Sequence, residues 1–507
     1  MTWTSPEQNP DAGPVGGPAA RFAASALAGG GRTGTAAFHA WLADCRARFR
    51  TRTELRPLDR LDRWTVDPET GDITHDSGRF FTVRGLDIQV PGAAVERWSQ
   101  PIISQPEIGI LGILVKEFDG VLHCLLQAKA EPGNINGVQL SPTVQATRSN
   151  YTGVHRGKAV SYLEYFRNSA RHRVLADVRQ SEQGAWFHRK RNRNMVVEVT
   201  GPVDVLDGFC WLTLGQLHQL LLIDDLVNMD TRTVLSCLPV TGPWAADSYP
   251  PDGAAGSGFR HALIRSLDTE APAVHPTDGI LSWITGERTR QELLVREIPL
   301  RSVRSWHRVD GRISHEDGLF FDIVGVGVEA VGREVGHWDQ PMLAPRGTGL
   351  VALLVREIDG VLHALMHAKV EPGHLDVLEL APTVQCTPQT YDHLPRQARP
   401  RFLDEVLGAA AQHVRFTAVH SEEGGRFLHA RTRYMIVETG SEVPLQQPPE
   451  FRWLTLHQLG ALLRHSYYLN MQARSIVACL HSLAGGHPPG GGVLPPLESD
   501  CPEGYAP

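Results

Sequence analysis

The sequence predicts an α+β protein that contains two tandem copies of one unit. Residues 116–145 recur at 356–385 without a gap, and 17 of the 30 aligned positions are identical. The chain is therefore a tandem duplication. In both copies apolar runs end at turn residues and return as a second strand, which predicts hairpins rather than alternating strand–helix–strand units. Hairpin strands with separate amphipathic helices are typical of the α+β class.

Each copy is centred on a predicted β-hairpin. Residues 108–117 form a nearly continuous apolar run, which is typical of a strand buried on both faces. Asp119-Gly120 follows, and Gly tolerates the positive φ of a two-residue hairpin turn. Side chains two positions apart share a face of the returning strand, so each copy has a polar row: His123, Gln127, Lys129 and Glu131, and then His363, His367, Lys369 and Glu371. Two interpretations stay open, that the row lines a pocket or that it is the solvated face of a sheet.

Composition and charge exclude several classes of protein. A formal net charge of -7 and a pI near 6.4 give no electrostatic footprint for nucleic acid. The basic cluster at 189–193 faces either a phosphate or solvent. Seven cysteines without a C-x-x-C pair predict reduced thiols in a cytoplasmic protein, with no disulfide framework and no structural zinc. Apolar runs stay below the roughly 18 residues of a membrane span, and the N-terminus lacks a signal-peptide pattern.

Low-complexity segments divide the chain. Residues 1–34 are rich in Pro, Gly and Ala and are predicted to be a disordered leader. Residues 241–277 have a similar composition and are predicted to be a linker, and 483–507 a flexible tail. The two copies are therefore expected at 35–240 and 278–482.

A tryptophan stands at the same place in both copies. Trp64 and Trp306 each precede a turn and a Phe-Phe strand. A buried tryptophan is usually part of the core. A tryptophan next to a loop can instead stack on a nucleobase. Both interpretations stay open for Trp64.

The loop after the hairpin differs between the copies. The first copy has Thr147, Arg148, Ser149, Asn150 and Tyr151, whereas the second has Thr387, Pro388, Gln389, Thr390 and Tyr391. Short hydrogen-bonding side chains with an arginine and a tyrosine suit sugar hydroxyls and a diphosphate. Divergence here is expected if two paralogous pockets have specialised.

Several catalytic signatures are absent from the sequence. It contains no G-x-G-x-x-G after a strand, no P-loop and no G-x-S-x-G nucleophile elbow. The 23 histidines are scattered, and no His/Asp/Glu set has a recognisable metal spacing. No cofactor and no metal are therefore predicted, and the chemistry is expected to rest on acid–base and electrostatic groups of the protein.

Three motifs resemble those of the NDP-hexose 2,3-dehydratases of deoxysugar biosynthesis. They are LVKEFDGVLHCLLQAKAEPGNINGVQLSPTVQATRSNY at 114–151, WLTLGQLHQLL at 211–221 and NMDTRTVLSCL at 228–238. The resemblance covers about residues 35–240 and 278–482, so it includes both copies.

The resemblance implies a fold, a reaction and partners. It implies a homodimer whose subunits each contain two duplicated domains similar to Nudix hydrolases, with one catalytic nucleotide-sugar pocket and one remnant. The implied substrate is dTDP-4-keto-6-deoxy-glucose. The implied product is an unstable 3,4-diketo-2,6-dideoxy sugar nucleotide, which passes to a 3-ketoreductase. The sequence lacks a Nudix box, so the metal-binding carboxylates of that box are missing.

The implied reaction assigns candidate roles in the first copy. The C-4 ketone acidifies the C-3 proton, and the enolate expels the C-2 hydroxyl, so a base, an acid and a stabiliser of negative charge are needed. Tyr151 or Glu131 is the candidate base or acid, and Lys129 the candidate charge stabiliser. The candidate substrate-binding residues are Arg148 and Arg191 for the diphosphate, Trp64 and Trp186 for thymine, and Thr147, Ser149, Asn150, Tyr151 and Ser181 as hydrogen-bond partners.

The second copy is expected to hold a corresponding pocket. Its candidate residues are Trp306, Lys369, Thr387, Gln389, Thr390, Tyr391, Arg431 and Tyr434. The first copy is favoured as the active one because its TRSNY loop is intact, while the second copy has TPQTY. A pocket that draws on both copies is a further arrangement that the sequence allows.

Two other functions are compatible with the sequence. One is a Nudix-type hydrolase of nucleotide sugars, which would release dTMP with a metal. The other is a scaffold that binds nucleotide sugars without turnover and tethers pathway enzymes.

Overall fold

The computed structural model describes residues 17–147, 160–250, 258–331 and 335–486. The first copy contains the helices α1 Pro18–Leu27, α2 Thr35–Arg48, α3 Leu163–Arg167, α4 Leu214–Leu220 and α5 Met229–Leu235. Its strands are β1 Arg50–Arg56, β2 Trp64–Val66, β3 Ile73–His75, β4 Thr82–Gln89, β5 Arg97–Ser104, β6 Gly109–Phe118, β7 Val121–Ala130, β8 Val138–Pro142, β9 Val144–Ala146, β10 Arg173–Ser181, β11 Phe187–His188, β12 Arg191–Glu198 and β13 Phe209–Thr213.

The second copy repeats this order of elements. Its helices are α6 Gly258–Arg265, α7 Thr277–Arg290, α8 Leu403–Leu407, α9 Leu456–Leu463 and α10 Met471–Ser482. Its strands are β14 Leu294–Ile298, β15 Trp306–Val309, β16 Arg312–His315, β17 Phe321–Val331, β18 His337–Pro345, β19 Gly349–Ile358, β20 Val361–Val370, β21 Leu378–Ala381, β22 Val384–Cys386, β23 Val414–Ser421, β24 Arg431–Glu438 and β25 Phe451–Thr455. The mixed helix-and-strand architecture and the duplication are both confirmed.

A seven-stranded mixed sheet forms the centre of each copy. The first has the order β10-β12-β6-β7-β13 with β8 on β7 and β9 on β6, and the second repeats it with β23-β24-β19-β20-β25, β21 and β22. The predicted hairpin is confirmed, since β6 and β7 pair antiparallel around Asp119 and Gly120, which have φ of 50° and 79°. Residues 109–115 of β6 are buried without a break, as the apolar run predicts.

The helix α1 corrects the predicted N-terminal boundary. Residues 1–34 were expected to be a disordered leader, but Phe22, Ala23 and Ala26 of α1 are almost fully buried in the main core. The Ser25 hydroxyl donates to the Leu122 carbonyl (2.6 Å) and accepts from the Leu214 amide (2.9 Å). The prediction is wrong for α1, because small residues on one helical face pack closely in a segment whose composition resembles disorder.

The predicted linker contains the equivalent helix of the second copy. Phe259, Ala262 and Leu263 of α6 are buried in the same core. Ser266, directly after α6, donates to the Leu362 carbonyl and accepts from the Leu456 amide, as Ser25 does in the first copy. Within the described residues, each copy therefore begins with this helix, earlier than the boundaries at 35 and 278.

The two copies exchange a strand. β1 of the first copy pairs antiparallel with β17 of the second, from Arg50↔Val331 to Arg56↔Gly325. β14 of the second copy pairs with β4 of the first in the same way. Each smaller sheet thus contains a strand from the other copy. No cut between the two repeats in the sequence would therefore leave two complete smaller sheets.

Two buried arginines add reciprocal contacts between the copies. Arg232 donates to the Ser421 carbonyl (3.1 Å), and Arg474 donates to the Ser181 carbonyl. Both guanidinium groups are fully buried, and their hydrogen bonds to carbonyl oxygens offset part of the cost of desolvation.

A pair of loops interlocks through main-chain hydrogen bonds. The Gly133 amide donates to the Gly424 carbonyl and the Gly373 amide to the Gly184 carbonyl, each at 2.7 Å. A Cβ atom at Gly133 would overlap the Phe427 carbonyl oxygen. Glycine is therefore required here for the close approach of two backbones.

Gly133→Ala is expected to destabilise the protein. The added methyl group must displace the backbone near Phe427, and overpacking of this kind costs about 1–3 kcal/mol. Urea unfolding followed by tryptophan fluorescence measures the change. Gly201→Ala is the matched control, because a Cβ there meets no atom within 4 Å, and equal stability of the two variants would contradict the interlock.

Candidate active site

A cavity of about 340 Å³ opens where the first copy meets the second. The first copy contributes residues from the β2 and β3 region, the end of β7 and the 182–192 segment. The second copy contributes β18 and the loop at 423–426. The polar and aromatic lining residues include Trp64, His75, Phe81, Lys129, Glu131, Thr147, Glu182, Lys190, Asn192, Asp230, Trp338, Asp339, Glu423 and Arg426.

One end of the cavity is aromatic. Trp64 packs against Phe81 with ring centroids 4.8 Å apart and against His75 edge-to-face at 5.3 Å. The Trp64 indole N–H donates to the Asp339 carbonyl of the second copy (2.7 Å). The Arg426 guanidinium lies 4.5 Å from the Phe81 ring centroid. This part of the lining combines aromatic side chains with the cations Arg63 and Arg426.

The other end is a cluster of charged side chains. Lys129 Nζ lies 3.3 Å from Glu131 Oε1, which also accepts from Gln145 Nε2 (3.0 Å). Lys190 Nζ donates to the Glu107 carbonyl (3.0 Å) and lies 3.3 Å from Asn192 Oδ1. The Asn192 amide in turn donates to Glu182.

Burial shifts the protonation of this cluster. Burial raises the pKa of Glu182 to about 7, with Glu423 adding to the shift and Lys190 opposing it. Burial also lowers the pKa of Lys190, partly offset by Glu182. Burial and then the carboxylates of Glu182 and Glu423 raise the pKa of Asp230 well above its ordinary value. Groups whose pKa values move towards neutrality in a cleft are typical of acid–base catalysis.

Sequence comparisons identify the family. The sequence model of the family described as "NDP-hexose 2,3-dehydratase" matches residues 35–238 and 277–480. The chain belongs to the NDP-hexose 2,3-dehydratase family.

Curated relatives match nearly the whole chain. A dTDP-4-dehydro-6-deoxy-alpha-D-glucopyranose 2,3-dehydratase of Saccharopolyspora spinosa is 51% identical over 91% of this chain and 95% of its own length. Proteins with the same name from Amycolatopsis orientalis and Streptomyces violaceoruber are each 47% identical over 89% of this chain, and the match covers 91% and 98% of their lengths.

The structure of this dehydratase-family chain brings some of the predicted site residues together. Trp64, Lys129, Glu131 and Thr147 line the cavity. Arg148, Ser149, Asn150 and Tyr151 lie outside the described residues. His123 of the same polar row is buried away from the cavity, where its ring accepts from the Arg32 amide (2.9 Å).

Three other predicted residues of the first copy lie away from the described cavity wall. Ser181 donates its hydroxyl to Glu379 of the second copy (2.5 Å). Trp186 packs edge-to-face on Phe427, with ring centroids 4.6 Å apart. Arg191 begins β12 opposite Ser181. Ser181 and Trp186 therefore contact the second copy, and none of these three residues is among those that line the described cavity.

Several residues predicted for the second pocket have internal partners. Trp306 is buried against Phe321 (4.6 Å between centroids), and Lys369 donates to the Gln385 carbonyl (2.9 Å). Arg431 forms an ion pair with Asp225 of the first copy (2.6 Å), and the fully buried Tyr434 donates to Glu422 (3.1 Å).

The loop predicted for the second pocket is a single short turn. Thr387 precedes the 3₁₀ turn Pro388–Asp392, which includes Gln389, Thr390 and Tyr391. Burial raises the pKa of Tyr391 to about 12, so its phenol stays protonated near neutral pH.

The two copies differ in charge at equivalent positions. Lys190, Glu423 and Arg426 of the first cavity correspond, at an offset of 240, to Ala430, Gln183 and Trp186, and Asp230 corresponds to Gln472 at the offset of 242 that relates the helix caps Asn228 and Asn470. Four ionisable groups of the cavity are therefore neutral in the other half of the duplication.

Sequence reasoning missed Glu182, Lys190, Asp230, Glu423 and Arg426. These residues come from three separate segments of the chain, two in the first copy and one in the second. A position-by-position comparison of the repeats for charged residues that are neutral in the other copy would have found four of them.

The described residues contain no group of three or more His, Cys, Asp or Glu side chains placed to hold a metal ion. No helix among them is long and apolar enough to cross a membrane.

Glu182→Gln is expected to flatten the pH dependence of stability. The pKa of Glu182 is raised from 4.5 to about 7 by burial and by Glu423 and Glu422, against Lys190 and Arg474. A buried carboxyl with a raised pKa resists ionisation, so the wild type loses stability as the pH rises through this window. Urea unfolding at about pH 5 and about pH 8 measures the loss, which should be smaller in the variant. An equal loss in both proteins would show that Glu182 does not ionise in this range.

Proposed function

We propose that this protein is a dTDP-4-dehydro-6-deoxy-glucose 2,3-dehydratase, a hydro-lyase of deoxysugar biosynthesis. Family membership and the shared name of three relatives support this. The structural observation that supports this function most is one cavity lined by aromatic side chains and by ionisable side chains. A nucleotide sugar needs both, since the flat face of its base stacks on aromatic rings and its sugar is the reacting part. The volume is at the lower end of the range for small-molecule sites.

The nucleotide is proposed to bind at the aromatic end. Trp64 is 8% exposed and borders the cavity, and this exposed part of its ring is the proposed stacking surface for thymine. Arg426, at 4.5 Å from the Phe81 ring, takes the role in diphosphate binding that was expected of Arg191, while Arg148 stays a candidate for the same role. Thr147, Ser149 and Asn150 stay candidate hydrogen-bond partners of the nucleotide sugar.

The sugar is proposed to lie against the charged end. A base removes the C-3 proton, which the C-4 ketone acidifies, and the negative charge moves to the C-4 oxygen. The enolate then expels the C-2 hydroxyl, and the resulting enol becomes the C-3 ketone. Lys129 stabilises the enolate oxygen, and Glu131 or Tyr151 acts as the base. These steps use groups of the protein alone.

The first copy is proposed to hold the catalytic pocket. Lys190, Asp230, Glu423 and Arg426 line this cavity, and their counterparts in the other half of the duplication are neutral. Lys369 and Glu371, the counterparts of Lys129 and Glu131, remain there, but without this surrounding set of charges. The catalytic pocket is therefore a composite, with Glu423 and Arg426 supplied by the second copy.

Finer features of the family resemblance stay proposals. We propose that each copy is a Nudix-like domain and that the protein is a cytoplasmic homodimer. We also propose that its unstable product passes to a 3-ketoreductase, because a reactive diketone must be reduced before it decomposes.

The activity is tested by incubation with dTDP-4-dehydro-6-deoxy-glucose, NADPH and a 3-ketoreductase. Mass spectrometry should detect a dTDP-2,6-dideoxy-hexulose. Unchanged substrate with tight dTDP binding would instead support a scaffold, and metal-dependent release of dTMP would support a hydrolase.

Lys129→Met is expected to lower kcat by about 100-fold or more, because the variant keeps the side-chain length and loses the charge that stabilises the enolate. The matched control is Lys369→Met, at the equivalent position of the second copy, which should keep kcat within about 3-fold because that half lacks the acid–base cluster. Steady-state kinetics with the coupled reductase measure both variants. A larger loss from Lys369→Met would place the catalytic pocket in the second copy.

A further inference from the structure

Asp230 is fixed at the charged end of the cavity by a capped helix. It is the second residue of α5, whose cap Asn228 accepts from the Thr231 amide (2.8 Å). The Asn228 amide donates to Gln145 (3.3 Å), and Gln145 donates to Glu131 (3.0 Å). Asp230 is thus held in a defined position relative to the candidate base Glu131.

The Asp230 carboxyl has an atom available for a ligand. Its side chain lines the cavity, and the residue is only 4% exposed. Its Oδ1 is buried and has no hydrogen-bond partner among residues 17–147, 160–250, 258–331 and 335–486. A buried polar atom without a partner is costly, and a polar ligand in the cavity would remove that cost.

The surroundings of Asp230 favour its protonated form. Burial and the carboxylates of Glu182, Glu423 and Glu131 all act in this direction, and Lys129 opposes them. The pKa of Asp230 therefore lies well above that of an isolated aspartate, which favours the protonated carboxyl. A buried carboxyl whose protonated form is favoured can act as a proton donor.

The second copy lacks this donor. Its equivalent residue is Gln472 on α10, whose amide can donate a hydrogen bond but cannot give up a proton as an acid. At this position the first copy therefore has a side chain that can donate a proton, and the second copy has one that can only form hydrogen bonds.

We propose that Asp230 is the general acid that protonates the C-2 hydroxyl as it leaves the sugar. This assignment rests on the proposed dehydratase function. The C-2–oxygen bond breaks with its electron pair on oxygen, the Asp230 proton moves to that oxygen, and water departs. The carbon–carbon double bond forms between C-2 and C-3 as the C-4 ketone is restored. The base holds the former C-3 proton, and proton exchange returns Asp230 to its acid form, so the net change is loss of one water.

Asp230→Asn tests the assignment, because the amide has the same shape and no acidic proton. We expect elimination of water to fall by about 100-fold or more, which is the usual contribution of a general acid. The base and Lys129 are unchanged, so in D₂O the variant should still place deuterium at C-3 of the recovered substrate. A purely structural role would lower both processes together.

A 2-deoxy-2-fluoro analogue of the substrate provides a second readout. Fluoride leaves without needing a proton, so Asp230→Asn should release fluoride within about 5-fold of the wild-type rate. The ratio of the two elimination rates does not depend on the fraction of folded protein. Gln472→Asn is the matched control and should keep both rates close to wild type.

Three results would overturn the assignment. They are water elimination by Asp230→Asn within about 3-fold of the wild type, an equal loss of water and fluoride elimination, and loss of C-3 exchange with dTDP binding retained, which would make Asp230 the base. Failure of the wild type to dehydrate the substrate would instead refute the proposed function, so the two failures are distinguishable.

Discussion

The rest of the structure depends on the interlocked loops at Gly133 and Gly424. The Gly133 amide donates to the Gly424 carbonyl, and the His429 amide donates back to Gly133. This contact places Glu423 and Arg426 of the second copy in the cavity beside Glu131 of the first. Two backbones can approach this closely only where a side chain is absent, because a Cβ at either glycine would overlap an atom of the other loop. The composite site is therefore a consequence of backbone packing between the copies.

Duplication explains how one backbone supports two different environments. The strand exchange of β1 and β14 and the buried arginines of both copies are nearly symmetric, and these features maintain the fold. The charges are asymmetric. The loop at Gly424 brings Glu423 and Arg426 to the first cavity, whereas the equivalent loop at Gly184 has Gln183 and Trp186 at these positions. In the second copy, Glu422 accepts hydrogen bonds from Gln183 and Tyr434. Under the proposed assignment of catalysis to the first cavity, the other half contributes to the fold without carrying the reaction.

The cluster of buried acidic side chains costs electrostatic free energy. Burial and the neighbouring carboxylates raise the pKa values of Glu182 and Asp230, which favours their protonated forms. Each pKa unit of such a shift corresponds to about 1.4 kcal/mol, and the interlocked fold has to offset this cost. The benefit is a site that holds acids and a base together near neutral pH, which elimination of water requires.

The sequence by itself determined the duplication, the α+β class, the central hairpin and the family. It did so because these features are local or repeated: Asp119-Gly120 specifies its own turn, and the Lys129 and Glu131 row follows from strand alternation. Only the tertiary structure decided that α1 and α6 are part of the core, that Ser181 and Trp186 contact the other copy, and that Asp230 and Glu423 meet at one cavity. Those outcomes depend on contacts between residues 96 or more positions apart, which no local pattern encodes. The charged residues that distinguish the two halves can be identified in the sequence, but only the fold shows that they line one cavity.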